Sequence, residues 1–398
     1  MGTPPQDLRL HLDTGSSDMW VNTASSKLCS QRQDPCKEAG TYDQDDSSTA
    51  KDAGPGFNIS YADGSGATGD YVTDTFRLGS VTLDDFQFGV GETSSTPRGI
   101  LGLGYGSNEV QVLREGDKPY DNLPLKLVAD GHIESAAYSI YLNDLDARQG
   151  TILFGGVDAA HFKGDLQTLP VQSEGGEYTR LFVTLTKLEF DGETVDDDMA
   201  LAVLLDTGSS LTYLPNEAAA ALYDMVGASF SQDDGLAFVP CSMRDESATL
   251  DFTFSSPTIS VPLDELVLDL TTEPAHGDEE DSSGRPSLPD GQDACVFGVA
   301  PSGGSTAVLG DTFMRSAYVV FDLENNEISI AQAKLNSSER DIKEIKKGSD
   351  GVPGAKRVQD PVQAEVGLVD GGQNGVARWT CSWLGTGAVA ILAAVAVW

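Results

Sequence analysis

The chain is predicted to be all-β with few short helices, folded as two related β-barrel lobes that flank a cleft. Three observations lead there. The run Leu10-His11-Leu12-Asp13-Thr14-Gly15-Ser16-Ser17 is echoed by Val203-Leu204-Leu205-Asp206-Thr207-Gly208-Ser209-Ser210, 193 positions later. The same apolar approach to the same five residues, over a domain-sized interval, points to a duplicated unit. Apolar runs are short, 43 glycines interrupt the chain, and turn signals recur about every ten residues, the rhythm of packed strands. At 398 residues the chain has room for two lobes and a tail, given roughly 100–200 residues per domain.

Each motif copy reads as a strand closed by a tight turn, with Gly supplying the backbone freedom that the reversal requires. Tyr61-Ala62-Asp63-Gly64-Ser65 carries the Asp-Gly signature of a hairpin and lies 48 residues after Asp13. Gly99-Ile100-Leu101-Gly102-Leu103-Gly104 and Ala307-Val308-Leu309-Gly310-Asp311 read as buried strands ending in Gly. Tyr178–Leu185 and Ile328–Ile330 read as further strands. Leu123–Ala129 and the alanine-rich Asn216–Tyr223 are the best helix candidates.

One Asp-Thr-Gly is an ordinary turn; two in related lobes bring a pair of carboxylates together. Such a pair cannot ionise fully where little water screens the second charge, so the two groups share a proton. The ionised member can then take a proton from water while the protonated member hydrogen-bonds a carbonyl. That is general acid–base peptide hydrolysis, and because the proton belongs to the pair, base and acid are not assigned separately to Asp13 and Asp206. Thr14 and Thr207 can lock the loops, Gly15 and Gly208 admit backbone amides to the carboxylates, and Ser16 and Ser209 can donate to them.

On these residues the chain resembles the pepsin-like aspartic endopeptidases, over about residues 1–335. The resemblance implies a bilobal pepsin-like fold with a substrate cleft, Asp13 and Asp206 as the catalytic pair, and Ser16 and Ser209 as residues orienting them. Trp20, in Asp18-Met19-Trp20-Val21, matches the family tryptophan that hydrogen-bonds a flap tyrosine. Tyr61 matches that tyrosine, in a flap whose tip includes Asp63, Gly64 and Ser65. Gly99–Gly104 and Ala307–Asp311 match the apolar segments threaded beneath the active-site loops. Val308–Ile330 is similar to the closing strands. Cys29 with Cys36, and Cys241 with Cys295, match two family disulfides, leaving Cys381 over.

The resemblance implies an N-terminal catalytic lobe at 1–168 and a C-terminal catalytic lobe at 169–335 with an acidic insertion at about 272–293. A polar linker is expected over 336–382, followed by a hydrophobic tail over 383–398. It also implies a signal peptide, a pro-segment and further strands ahead of Gly2, none of which precede it here. The tail holds an apolar stretch of about 15 residues, short of the roughly 20 needed to span a bilayer. Gly371, Gly372, Asn374 and Gly375, then a polar spacer and this tail, match a glycolipid-anchor signal with attachment expected at Asn374; a short membrane span is the alternative. With that signal the chain is similar to the fungal glycolipid-anchored, yapsin-like cell-surface members of the family.

The formal net charge is −37, from 62 acidic and 25 basic residues, which argues against nucleic acid as a partner. Repulsion among so many carboxylates falls on protonation, so the fold is expected to tolerate mild acid better than alkali. No metal or other cofactor is expected: the cysteines are not in close Cys-x-x-Cys pairs and only four histidines exist. The acidic run Asp278-Glu279-Glu280-Asp281 is expected in a surface loop. Disulfides imply a secretory route, and Asn58-Ile59-Ser60 and Asn336-Ser337-Ser338 are glycosylation triplets. The expected partner is a peptide or protein substrate, met by a monomer. A competing reading, an inactive pepsin-fold binding protein, is disfavoured because both aspartates, both glycines and Tyr61 are present. A wall protein displayed by the tail would need a blocked cleft.

Overall fold

The computed structural model describes residues 1–269, 288 and 291–368. The acidic run 278–281, Asn374, Cys381 and the hydrophobic tail lie outside them. Within them the chain is built mainly of strands, and its two halves repeat one arrangement around their motif loops.

In the first half a six-stranded sheet runs in the order Leu10–Asp13, Gly99–Gly102, Met19–Asn22, Val81–Ser94, Gly66–Leu78 and Lys51–Ser60. The strand leading to Asp13 pairs in parallel with Gly99–Gly102, placing Asp13 opposite Gly102. That partner pairs antiparallel with Met19–Asn22. In the second half Leu201–Leu205 pairs in parallel with Ala307–Leu309, which meets Thr212–Leu214 antiparallel. The same parallel-then-antiparallel pattern around each motif is the structural counterpart of the sequence repeat.

A further six-stranded sheet is shared between the halves, in the order Lys356–Arg357, Phe162–Pro170, Glu327–Ala333, Ala317–Asp322, Ala137–Tyr141 and Thr151–Phe154. The expected lobe boundary at 168/169 falls inside its strand Phe162–Pro170, because that strand serves both halves. Ala317–Asp322 is buried throughout, as a central strand covered on both faces must be, and Leu201–Leu205 is likewise fully buried.

Both expected helices form. Leu123–Ala129 starts with Pro124 in its first turn, where a missing N–H does no harm. Asn216–Val226 stops at Gly227, whose φ of 66° is left-handed, and its Tyr223 hydroxyl donates to the Val299 carbonyl at 2.9 Å. The expected strand at Tyr178–Leu185 shortens to Phe182–Leu185. Both expected disulfides form, Cys29–Cys36 and Cys241–Cys295.

The polar linker expected from residue 336 needs correction. Residues 336–368 are packed on the body, with Ile342–Glu344 paired to Gly156–Asp158 and Lys356–Arg357 paired to Gln167–Thr168. Ile345 and Val358 are buried. These apolar pegs are too widely spaced among Lys, Asp and Gly to form a strand or helix period, so composition alone reads as a solvated segment.

One buried ion pair ties the second half together. The Arg315 Nε donates to Glu265 Oε2, with the two side chains 5% and 2% exposed. Glu265 Oε1 also accepts from the Leu145 amide at 3.0 Å. Arg315→Met is expected to cost about 3–5 kcal/mol in denaturant unfolding, because it strands the Glu265 charge, whereas adding Glu265→Leu should recover most of that loss.

Candidate active site

Two loops, one from each half, meet through a reciprocal set of threonine bonds. The Thr14 hydroxyl donates to the Leu205 carbonyl at 2.7 Å and the Thr207 hydroxyl to the Leu12 carbonyl at 2.8 Å. Each hydroxyl also accepts from the opposite loop: Thr207 N–H reaches Thr14 Oγ1 at 3.0 Å and Thr14 N–H reaches Thr207 Oγ1 at 3.2 Å. Each threonine therefore binds the other half through its side chain and its backbone. His11 adds an unduplicated link, its Nε2 donating to the Thr207 carbonyl at 3.1 Å.

The interlock presses the two aspartates together. Asp13 and Asp206 are 4% and 9% exposed, and their carboxyl groups lie close enough to share one amide donor. Gly15 N–H donates to Asp13 Oδ1 at 2.8 Å and to Asp206 Oδ1 at 3.1 Å, and Gly208 N–H to Asp206 Oδ1 at 2.7 Å. Ser16 Oγ donates to Asp13 Oδ2, and Ser209 Oγ to Asp206 Oδ2 at 2.7 Å. A methyl group on Gly15 would lie 2.7 Å from the Asp206 carboxyl, and one on Gly208 would lie 2.5 Å from Asp13 Oδ1. Only glycine fits either place. The strands threaded below fix the loops: Leu103 N–H donates to the Asp13 carbonyl at 2.9 Å, and Asp206 N–H to the Leu309 carbonyl at 3.1 Å.

Burial raises the Asp206 pKa, and the nearby Asp13 charge raises it further, against the Ser209 and Gly208 donors. The pair therefore holds a proton beyond the ordinary carboxylate range, the condition under which one member donates while the other accepts.

The hairpin of Lys51–Ser60 and Gly66–Leu78 overhangs this pair. Its tip is closed by Tyr61 N–H to the Ser65 carbonyl at 2.9 Å and by Ser65 N–H to Asp63 Oδ1 at 2.8 Å. Gly64 has a φ of 82°, which the turn requires. Trp20 Nε1 donates to the Tyr61 hydroxyl at 2.8 Å, holding the hairpin down. The Tyr61 phenol is raised by burial first and then by the Asp13 charge.

The structure gathers the two aspartates with Thr14, Gly15, Ser16, Thr207, Gly208 and Ser209, joins Trp20 to Tyr61, and adds other buried groups. Buried Asp18 accepts from Tyr71 Oη at 3.1 Å, Tyr120 Oη at 3.0 Å and Val110 N–H at 2.8 Å. Its pKa is raised by burial. Glu109 accepts from Tyr120 N–H at 2.9 Å and has no partner for its buried Oε1. Burial pushes it up to about 9, so it is a neutral acid at neutral pH. Asp311 is pushed up to about 7 by burial, with Arg315 opposing and Asp206 adding to the rise. The Tyr213 phenol is raised by burial, with the Asp63 and Asp206 charges adding to the rise. A sequence signal existed for Asp18: the first motif continues Ser16-Ser17-Asp18, whereas the second continues Ser209-Ser210-Leu211.

Among the described residues, Cys241, Asp269 and Cys295 are close enough to suggest a metal. Their sulfurs are joined in a disulfide and supply no thiolates.

A two-lobed β protein with cross-locked carboxylates under a hairpin is the architecture of an acid–base hydrolase. The sequence model described as eukaryotic aspartyl protease matches residues 1–333. A probable aspartic-type endopeptidase OPSB of Trichophyton verrucosum is 53% identical over 369 residues, covering 91% of this chain and 73% of that protein. Aspartic proteinase yapsin-3 of Saccharomyces cerevisiae is 35% identical over 362 residues, covering 87% and 67%. The crystal structure of an aspartic proteinase from Irpex lacteus superposes with a TM-score of 0.67 at 20% identity, covering 85% and 94%, and shows the shared fold. The chain belongs to the eukaryotic aspartyl protease family and is an aspartic endopeptidase.

Carboxyls whose folded pKa is raised stabilise the fold fully below their unfolded value, about pH 4, and that contribution is lost as pH rises through the folded value. For Asp311 and Glu109 those folded values are about 7 and about 9. Asp74, whose pKa is lowered, acts oppositely and loses its contribution only in stronger acid. The thermal midpoint is therefore expected to fall between mild acid and mild alkali. Glu109→Gln, which keeps the neutral shape, should flatten the alkaline part of that fall. An unaltered profile in Glu109→Gln would show that this group stays ionised in the folded protein.

Proposed function

We propose that Asp13 and Asp206 share one proton and hydrolyse an extended peptide by activating water between them. The ionised oxygen takes a proton from the water as its oxygen attacks the scissile carbonyl carbon. The protonated oxygen donates to the carbonyl oxygen. The resulting tetrahedral species collapses with proton transfer to the leaving amine, restoring the pair. Thr14, Thr207, Gly15, Gly208, Ser16 and Ser209 position the carboxylates, and Tyr61 and Trp20 set the flap over the peptide. The observation that carries this reading is the Gly15 amide shared between the two buried carboxyls, which sets them side by side.

The same residues disfavour an inactive binding protein, since that reading needs the pair or its glycines to be disrupted. Asp13→Asn and Asp206→Asn are each expected to lower kcat on a peptide substrate by at least about 100-fold while circular dichroism and thermal midpoint stay native. Activity surviving either substitution would overturn the assignment. Because Asp206 holds its proton above the usual range, kcat/KM should be high in mild acid and decline as pH rises through that raised value.

Asp63 is proposed to select a Lys or Arg side chain beside the scissile bond. It is exposed at the flap tip, and among the described residues only its Oδ1 is engaged, by its own turn. Asp63→Ala should lower kcat/KM for a lysine peptide up to about 5-fold more than for the matched leucine peptide; equal losses would remove the proposal.

The enzyme is proposed to work as a monomer in the secretory pathway and at the cell surface, processing secreted or surface proteins, with attachment through a glycolipid at Asn374. Two disulfides support the oxidising route, and the exposed Asn58 and Asn336 are accessible to glycosylation. No described helix is long and apolar enough to cross a membrane.

A further inference from the structure

The family match ends at residue 333, yet the chain continues as an ordered strap to residue 368. Its path is directed. It starts on the first half, where Asn336 N–H donates to Asn143 Oδ1 at 2.8 Å and Asp341 N–H to Asp158 Oδ1 at 2.7 Å. It then crosses the outer face of the shared sheet. There Ile345 is fully buried with Tyr141, Leu166, Tyr318 and Val320, and Val352 and Ala355 pack against the same cluster. Val358 N–H donates to the Thr168 carbonyl at 3.0 Å, in the strand common to both halves.

The strap ends on the second half. Val362 N–H donates to Ser255 Oγ and Ala364 N–H to Gln172 Oε1, both at 3.0 Å. Glu365 N–H donates to the Ala200 carbonyl at 2.8 Å, and Ala202 N–H to the Val366 carbonyl at 2.9 Å. Val366 thereby pairs in parallel with Leu201, at the start of the strand that runs directly into Asp206. On that strand Ala307–Leu309 takes over as parallel partner from Val203 onward, so the strap lengthens the row of bonds that holds the Asp206 loop. Gly367 has a φ of 88°, and a methyl group there would lie 2.9 Å from the Ala202 carbonyl oxygen. The fit at this end is close.

We propose that residues 336–368 form an interlobe brace whose end at Ala364–Gly367 positions the strand Leu201–Leu205, and through it the Asp206 carboxyl against Asp13. The middle of the strap, at Ile345, stabilises the shared sheet; its end sets the catalytic geometry. Val366 and Gly367 are positioning residues, since they touch neither substrate nor the carboxyl pair. The exposed pairs Lys356–Asp165 and Lys347–Glu324 contribute little to the docking.

The proposal rests on Asp13 and Asp206 as the acid–base pair, and its test separates the two ideas. In the full chain, Gly367→Val with Ala364→Pro is expected to detach the strap end. It should lower kcat about 10-fold with KM within about twofold, and move the alkaline limb of kcat/KM to lower pH as the carboxyls share their proton less closely. Ile345→Ala should lower the thermal midpoint and leave kcat and the pH limbs unchanged. Should the double variant fail to fold, Ala364→Pro alone provides the same comparison. Unchanged kcat and pH limbs in the strap-end variant, alongside an inactive Asp206→Asn, would overturn the brace and leave the pair intact. An active Asp206→Asn would overturn the pair itself.

Discussion

The four bonds that Thr14 and Thr207 make across the two halves are the constraint on which the rest of the molecule depends. Two carboxylates repel, and a chain of net charge −37 adds no general counter-field to hold them together. Contact between Asp13 and Asp206 therefore has to be imposed by neutral groups. The threonine hydroxyls do this, each bonded twice to the opposite half, and the parallel strands Gly99–Gly102 and Ala307–Leu309 hold the loops from the side. The cost of confinement appears as a retained proton, which is what the chemistry uses.

Acid groups away from the pair follow the same logic. Asp18 is kept buried by two tyrosine hydroxyls and an amide, Glu265 by Arg315, and Glu109 by giving up its charge. Three solutions to one desolvation problem coexist in one protein: neutral donors, a counter-charge and protonation.

Much of the site was legible in the sequence, because its parts are local. Asp-Thr-Gly-Ser-Ser is contiguous, and the flap turn from Tyr61 to Ser65 closes on itself. Trp20 lies a few residues beyond Asp13. What escaped the sequence comes from distant positions. Val110 and Tyr120 reach Asp18 across about a hundred residues, and Glu109 meets Tyr120 only beside that contact. The segment after residue 335 escaped for another reason: its buried Ile345 and Val358 are isolated among polar residues, and their partners in the shared sheet are remote. The start of the strand at Phe182 rather than Tyr178 reflects the bonding of the preceding turn, where Glu174 and Glu177 pair back to back, which no local propensity encodes.

The two glycines of the motif tie each half of the molecule to the other. Gly15 is confined by Asp206, and Gly208 by Asp13, so each half carries a vacancy shaped for its sibling's acid. A side chain gained in one repeat would strike the opposite repeat's carboxyl first, at 2.7 Å from Gly15 and 2.5 Å from Gly208. Damage to either turn is therefore shared by both, and neither loop can be enlarged without displacing the acid that the other presents.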